Sequence, residues 1–193
     1  SAEHQQPGDE LMPSTDKKVP QEVPVPEEQP QVLSKLFDLS QYTLAKEKLQ
    51  KFASVDVVQD KAVRIILTGD LLFASGQATL TGAAEDALSR LSPVLRRLPY
   101  MINVVGHTDS MPMFSAQYPS NWELSVSRAS SVARFLMEEM ELPGRQFVVS
   151  GYAYYRPVKP NNNAFNRAKN RRVEIIISKE LPEAIAANEQ NLK

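Results

Sequence analysis

The sequence has 193 residues and contains no cysteine, only two histidines and only seven glycines. Without cysteine the chain cannot form a disulfide framework, a thiolate metal centre or a thiol nucleophile. It also lacks the ~18 consecutive apolar residues of a membrane span, and its first residues show no charged-then-apolar signal pattern. A net charge of −1 argues against a general nucleic-acid binder. We therefore expect one ordinary water-soluble domain with some extra chain.

The small net charge conceals an asymmetry between the two ends of the chain. Residues 1–30 hold six of the 14 prolines and have seven acidic and two basic residues, a local charge of −5. The rest has 20 basic and 16 acidic residues, a charge of +4. The leader has too few large apolar residues to offset its ordering entropy, and its prolines favour extended chain. We predict that residues 1–32 form a flexible acidic linker; the alternative is a terminus without a spacer role.

Hydrophobic periodicity predicts three long helices. The first covers residues 33–53, the second starts at Thr81, a plausible N-cap, and contains Pro93, and the third starts at Asn121. Short β-branched runs predict strands at 63–67, 102–105, 147–149 and 173–177.

This order of elements predicts a two-layer α/β sandwich of βαβαβ-β type with an extra N-terminal helix. Two right-handed crossovers make the first three strands parallel, and the last strand can join antiparallel, which gives a mixed sheet. The predicted units are the linker 1–32, a helical segment 33–60, a domain 61–180 and a tail 181–193 with a short helix after Pro182.

Polar residues cluster where the predicted strands and helices end. Asp109 follows the second strand, Arg128 lies on the next helix, and Arg171 and Arg172 precede the last strand. Ligands of α/β sheets favour the carboxyl ends of strands. A carboxylate and a guanidinium there would bind the ammonium and carboxylate of a zwitterion. Equally, Asp109 and Arg128 could form an internal ion pair that pins a loop.

The sequence gives little support to a catalytic function. His107 has no second histidine nearby in sequence to share a metal, and no nucleophile elbow accompanies it. A glycine-rich phosphate loop is also missing.

Four ordered blocks carry a resemblance to a known family. They are Gly106-His107-Thr108-Asp109, Asn121-x-x-Leu124-Ser125-x-x-Arg128-Ala129, Gly151-Tyr152, and Asn166-Arg167-Ala168-x-Asn170-Arg171-Arg172-Val173-Glu174. Over residues 62–178 this pattern resembles the OmpA-like peptidoglycan-binding domain. Residues 72–78 and 118–125 are similar to its MotB branch, the periplasmic part of the flagellar motor stator.

The resemblance implies a binding site rather than a catalytic one. In that family the aspartate of the His-Thr-Asp block binds the ammonium of diaminopimelate in the peptidoglycan stem peptide, and the arginine of the Leu-Ser-x-x-Arg block binds its carboxylate. Carried over, these are Asp109 and Arg128. The implied supporting residues are Thr108, Asn121, Leu124 and Arg172.

The residues around Asp109 and Arg128 also allow other interpretations. Asn121 could instead be the N-cap of its helix, and Trp122 a packing anchor. Arg171 and Arg172 face opposite sides of a strand, so only one of them can address the ligand.

The sequence departs from the family pattern at three places: Asn166 replaces the glycine before Arg167, and the other two departures lie near the site. The usual glycine after His-Thr-Asp is replaced by Ser110-Met111-Pro112, and Gly-Tyr-Gly-Glu becomes Gly151-Tyr152-Ala153-Tyr154.

The resemblance also implies a setting for the protein. It suggests a periplasmic piece of an inner-membrane protein whose membrane helix is absent from this chain, with peptidoglycan, a second copy and a channel-forming stator subunit as partners. No cofactor, metal or nucleic acid is implied. The alternative is an OmpA-like tether of an outer-membrane lipoprotein or porin. The helix at 33–53 is either a permanent part of the core or an element that rearranges on wall engagement.

Overall fold

The computed structural model describes residues 29–58, 61–96 and 99–179, which form a five-stranded sheet with helices packed on one face. The helices are α1 (Gln29–Lys46), α2 (Gly69–Leu72), α3 (Gly82–Arg96), α4 (Asn121–Glu138) and α5 (Ala164–Asn170), with a short 3₁₀ helix at Gly144–Gln146. The strands are β1 (Ala53–Val58), β2 (Ala62–Thr68), β3 (Met101–His107), β4 (Phe147–Gly151) and β5 (Arg172–Ser178). None of the helices in these ranges is both long and apolar enough to cross a membrane.

The sheet has the strand order β1-β2-β5-β3-β4. β3 and β4 are parallel, while β5 lies between β2 and β3 and is antiparallel to both. β2, β3 and β4 therefore run in one direction, and the predicted mixed α/β sandwich is confirmed. As a consequence, the carboxyl ends of β2 and β3 lie at the same edge of the sheet.

Alternating apolar residues of the central strands face the helices and form the core. Neighbouring buried residues of β2 and β5 pair across the sheet: Val63 with Ile177, Ile65 with Ile175 and Leu67 with Val173. Each such side chain contributes about 1.5–3 kcal/mol when fully buried. The core therefore fixes which side of each strand faces the helices.

A close backbone contact holds α4 against the sheet. A Cβ at Gly106 of β3 would lie 1.9 Å from the carbonyl oxygen of Ser125 on α4. Only glycine permits this approach, since no side chain fits in the gap. Ser125 also accepts a hydrogen bond on its Oγ from the Ala153 amide (3.1 Å). Arg128 lies one turn further along the same helix, so its position follows from this contact.

The prediction of a helix over 33–53 is wrong at its C-terminal end. α1 ends at Lys46, the chain turns through Lys48 with a φ of 55°, and Ala53–Val58 forms the edge strand β1, antiparallel to β2. The segment 33–60 is thus not all helical, and residues 29–32, assigned to the linker, belong to α1. In this structure α1 packs on β1 and α3 and its buried leucines join the main core.

The start and end of α3 agree with the sequence signals. Thr81 caps the helix, because its Oγ1 accepts a hydrogen bond from the Ala84 amide (3.1 Å). Pro93 lies near the C-terminal end of α3 and has no amide hydrogen to donate to the Ser89 carbonyl. That carbonyl instead accepts a hydrogen bond from the Ser92 hydroxyl (2.9 Å). The linker over residues 1–28 and the short helix after Pro182 lie outside the described residues.

Candidate functional site

A cavity of about 570 Å³ opens at the edge of the sheet where β2 and β3 end. It lies among α2, the loop after α2, the loop after β3 and the start of α4. Its charged lining residues are Asp70, Asp109, Arg128 and Arg171. Its other lining residues are Phe73, Ala74, Ser75, Gly76, Thr108, Met111, Pro112, Met113, Asn121 and Leu124.

Asp109 supplies a carboxylate to the cavity directly after β3. The residue is 7% exposed, its Oδ1 accepts a hydrogen bond from the Met111 amide (2.9 Å), and its Oδ2 accepts one from Nη1 of Arg171 (2.5 Å). Each carboxylate oxygen has two lone pairs and accepts one of these bonds. The carboxylate can therefore accept further hydrogen bonds from a ligand cation.

Arg128 supplies a buried positive charge from α4. The residue is 5% exposed, its Nε donates to the carbonyl of Gln77 (2.8 Å), and its guanidinium carbon lies 5.1 Å above the centre of the Phe73 ring. Burial lowers the pKa of Arg128, but a guanidinium remains protonated in proteins.

No carboxylate among the described residues forms a salt bridge with Arg128, and Asp109 pairs with Arg171 instead. The internal Asp109–Arg128 pair considered from the sequence is therefore not formed. Asp70 and Asp109 favour the charged form of Arg128 electrostatically, but neither forms a salt bridge with it, so an anion entering the cavity could form a direct charge-assisted hydrogen bond with the guanidinium.

Arg171 connects two carboxylates that are distant in sequence. Its Nε and Nη2 donate to the two oxygens of Asp70, both at 2.6 Å, while Nη1 donates to Asp109. The pKa of Arg171 is raised, mainly by the hydrogen bonding to Asp70. Gly69 permits this arrangement, because its amide donates to the Arg171 carbonyl (2.9 Å) and a Cβ there would lie 2.6 Å from that oxygen.

The structure brings most of the sequence-predicted residues to this cavity. Thr108, Asn121 and Leu124 line it beside Asp109 and Arg128. The Nδ2 of Asn121 donates to the Met111 carbonyl (2.9 Å), which shapes the cavity rim. Asn121 is not the N-cap of α4, since the Ser120 hydroxyl accepts from the Trp122 amide (3.1 Å).

Arg172 is the one predicted residue that lies away from the cavity. Its Nε donates to Glu174 (2.7 Å) and its Nη2 to the Arg156 carbonyl (3.1 Å), and both charged side chains are buried. Strand alternation places Arg172 and Glu174 on the sheet face away from the helices, whereas Arg171 faces the cavity. Arg172 therefore does not line the cavity, whereas Arg171 does, and the role that the resemblance implies for Arg172 stays a prediction.

His107 lies near the buried pair of Arg172 and Glu174. The ring is 3% exposed, and neither ring nitrogen has a hydrogen-bond partner among the residues that the structure describes. Burial, with a smaller contribution from Arg172, lowers the pKa of His107 to about 3. Glu174 is 3.7 Å away but is already paired with Arg172 and Arg64, so His107 stays neutral near pH 7.

The loop after β4 shows how the chain accommodates its departure from the family pattern. Ala153 adopts a φ of 48°, a left-handed conformation that costs a non-glycine residue about 1–2 kcal/mol. Its carbonyl accepts from the Thr108 amide (2.9 Å) and its amide donates to Ser125. The loop is thus fixed to both a cavity wall and α4.

Comparison with known proteins places these features in a family. The OmpA family matches residues 72–171, which is 100 of the 193 residues. Motility protein B of Bacillus subtilis is 38% identical over 114 residues, a match that covers 58% of this chain and 44% of that protein. The chain spans about half the length of the curated relatives it matches.

Solved structures show the same fold. A MotB-like protein from Desulfovibrio vulgaris superposes with a TM-score of 0.73 over 81% of this chain and 96% of its own, at 24% identity, a similarity of fold. The cell wall anchor of the T6SS from Pseudomonas aeruginosa is 34% identical, with a TM-score of 0.66 over 72% of this chain and 96% of its own.

Proposed function

Because this chain belongs to the OmpA family, we propose that it is a non-catalytic peptidoglycan-binding module that anchors a flagellar motor stator to the cell wall. The similarity to motility protein B supports the motor assignment, and the similarity to a cell wall anchor supports the wall assignment. In this proposal the module works in the periplasm, and binding makes and breaks no covalent bond.

The observation that carries the proposal is the buried guanidinium of Arg128, which has no carboxylate partner in the described part of the chain and faces the same cavity as Asp109. The diaminopimelate of a stem peptide has a free ammonium and a free carboxylate on one carbon. We assign the carboxylate to Arg128 and the ammonium to Asp109. Thr108, Asn121 and Leu124 shape the cavity around them.

The stator assignment extends to partners of the full-length protein. It implies a homodimer and a channel-forming subunit, contacted through an inner-membrane helix.

Co-sedimentation with purified peptidoglycan tests the proposed site. Asp109→Ala and Arg128→Ala should each leave the protein in the supernatant. Asp86→Ala and Arg134→Ala, which remove exposed charges of ordinary i,i+4 pairs, are matched controls and should pellet like the parent protein.

The chemistry of the wall provides a second control. Peptidoglycan with lysine in place of diaminopimelate lacks the carboxylate assigned to Arg128, so it should bind more weakly. The site assignment would be overturned if both site variants pelleted as well as the parent protein. It would also be overturned if the parent protein bound the lysine-type and the diaminopimelate-type peptidoglycan equally well. Release of soluble fragments from the wall would overturn the non-catalytic role.

A second candidate function is the anchoring of a different envelope assembly, which the 34% identity to the T6SS anchor favours. A lipoprotein or porin tether would use the same cavity. Deletion of the gene distinguishes these functions: loss of swimming with normal secretion and envelope integrity supports the stator role. Normal swimming with loss of T6SS secretion supports the second candidate.

A further inference from the structure

Three exposed aromatic side chains, one at the start of α4 and two in the turn after β4, are stacked on the surface. The Trp122 ring lies 5.3 Å from the Tyr155 ring at an interplanar angle of 23°, and Tyr155 lies 4.5 Å from Tyr154 at 22°. Trp122 is 46% exposed, Tyr155 is 59% exposed and Tyr154 is 37% exposed. We call Trp122, Tyr154 and Tyr155 the aromatic stack. Trp122 is thus not the packing anchor considered from the sequence.

The aromatic stack is fixed to the wall of the cavity through two connections. Trp122 directly follows Asn121, which lines the cavity, so their Cα atoms are about 3.8 Å apart. The turn that carries Tyr154 and Tyr155 is held by the bond from the Thr108 amide to the Ala153 carbonyl (2.9 Å), and Thr108 also lines the cavity. The stack is therefore connected to two of the residues that line the cavity.

We propose that the aromatic stack binds the glycan strand of peptidoglycan while the cavity holds the stem peptide, an inference that rests on the proposed function. A pyranose ring has an apolar face of C–H groups that packs on aromatic rings, and hydroxyl groups at its edge. The phenol hydroxyls of Tyr154 and Tyr155 and the indole N–H of Trp122 are hydrogen-bonding groups beside such a surface.

The covalent structure of peptidoglycan selects the glycan as the occupant. Diaminopimelate is the third residue of a stem peptide attached to the sugar; three extended residues span about 10 Å, and the side chain whose end carries the free ammonium and carboxylate adds about 5 Å. A diaminopimelate in the cavity therefore keeps the sugar within about 15 Å of it, and the aromatic stack includes Trp122, the direct neighbour of the cavity-lining Asn121. The stack contains no charged side chain, which suits a neutral saccharide whose acid group is used in the peptide linkage.

The single tryptophan of the chain makes this inference directly measurable, since Trp122 is the only source of indole fluorescence. We would titrate the protein with chitotetraose as a soluble, uncharged probe, and with amidase-treated glycan strands, which lack stem peptides and carry free lactyl carboxylates. The expected result is a saturable change in tryptophan emission. Tyr155→Ala should weaken the apparent affinity about five- to tenfold, because one stacking contact is lost.

Two further variants separate this inference from the proposed function. Phe165→Ala removes another highly exposed aromatic ring, on α5, and should bind the glycan like the parent protein. Arg128→Ala should bind the glycan unchanged while it fails to bind a soluble stem tripeptide.

The inference is overturned if glycan strands leave the emission unchanged while intact peptidoglycan still pellets the protein, a result that leaves the proposed function standing. It is also overturned if Tyr155→Ala binds the glycan as tightly as the parent, or if that variant changes only self-association in analytical ultracentrifugation. Failure of the stem tripeptide to bind, with glycan binding intact, contradicts the proposed cavity ligand and supports the aromatic stack as a separate saccharide site.

Discussion

Replacement of Arg128 by methionine separates a binding role from a structural one. The methionine side chain reaches about as far as the Nε atom of arginine, carries no charge and packs well on an aromatic ring such as Phe73. We expect Arg128→Met to change the free energy of unfolding by no more than about 1 kcal/mol and to weaken binding of a diaminopimelate stem peptide about 30-fold or more.

The small stability change follows from opposing contributions at this site. Burial of a guanidinium costs several kcal/mol. The hydrogen bond from Arg128 to the Gln77 carbonyl returns about 1.5–3 kcal/mol, and the contact with Phe73 returns up to about 2 kcal/mol. Methionine removes the cost and both returns together. The Gln77 carbonyl then needs water, which the open cavity can supply.

The binding change is much larger, because the ligand carboxylate would lose its only unpaired cationic partner in the described cavity. Removing one member of a buried charge pair costs about 2–5 kcal/mol, which corresponds to a loss of about 30-fold or more in affinity. Urea unfolding would measure the stability, and isothermal titration calorimetry with a soluble stem tripeptide would measure the affinity.

Arg134→Met is the matched control, because Arg134 is an exposed arginine on the same helix that pairs with Glu138. It should leave stability and affinity nearly unchanged. A loss of more than about 3 kcal/mol of stability in Arg128→Met would show that Arg128 mainly pins the loop after α2, as a broken buried pair does. Unchanged tripeptide affinity would refute the assignment of Arg128 to the ligand carboxylate.

Three further predictions concern the support of the site. Gly106→Ala should lose more than about 3 kcal/mol of stability in urea unfolding, since its methyl group would meet the backbone of α4, whereas Gly82→Ala, with open space, should change it by less than about 1 kcal/mol. Burial lowers the pKa of His107 from 6.5 in the unfolded chain to about 3 in the folded protein. Its contribution to stability is therefore complete above pH 6.5 and falls by about 1.4 kcal/mol per pH unit between pH 6.5 and about pH 3. His107→Phe should remove that slope, and an unchanged slope contradicts the assignment. Asp70→Asn should weaken tripeptide binding about threefold or more, because Asp109 is then the only carboxylate that pairs with Arg171 and is less available to the ligand. The stability should change by at most about 1 kcal/mol, since the Asp70–Arg171 pair is partly exposed.

The sheet and the long helices could be predicted because their periodicities are strong, but β1 could not be separated from the preceding helix. Ala53 and Val55 continue the apolar residues of α1 in sequence, and a window of helical length absorbs a six-residue strand. The interruption is the turn at Lys48, which carries no glycine or proline to mark it. An edge strand of this kind is recognised only when its partner β2 is known.

The candidate site was predicted in part, for a similar reason. Asp109 was found because it follows a predicted strand, and the same rule applies to Asp70, which follows β2 at the same edge of the sheet. Arg171 shares its strand parity with the buried Val173, whereas Arg172 shares that of Glu174, and this alternation distinguishes the two arginines. No local pattern predicts that residues 101 positions apart form the Asp70–Arg171 pair.

The charges of the cavity restrict its ligand more narrowly than the charge of the whole chain does. Asp70 and Asp109 balance Arg128 and Arg171, so the lining is neutral, and a polyanion would meet two carboxylates at the site. Among these groups Arg171 is already paired on both sides, and Arg128 has no carboxylate. The remaining binding capacity is one buried cation, together with the unused lone pairs of Asp109. A simple cation would leave Arg128 uncompensated and a simple anion would ignore Asp109, whereas one group that has an ammonium and a carboxylate satisfies both.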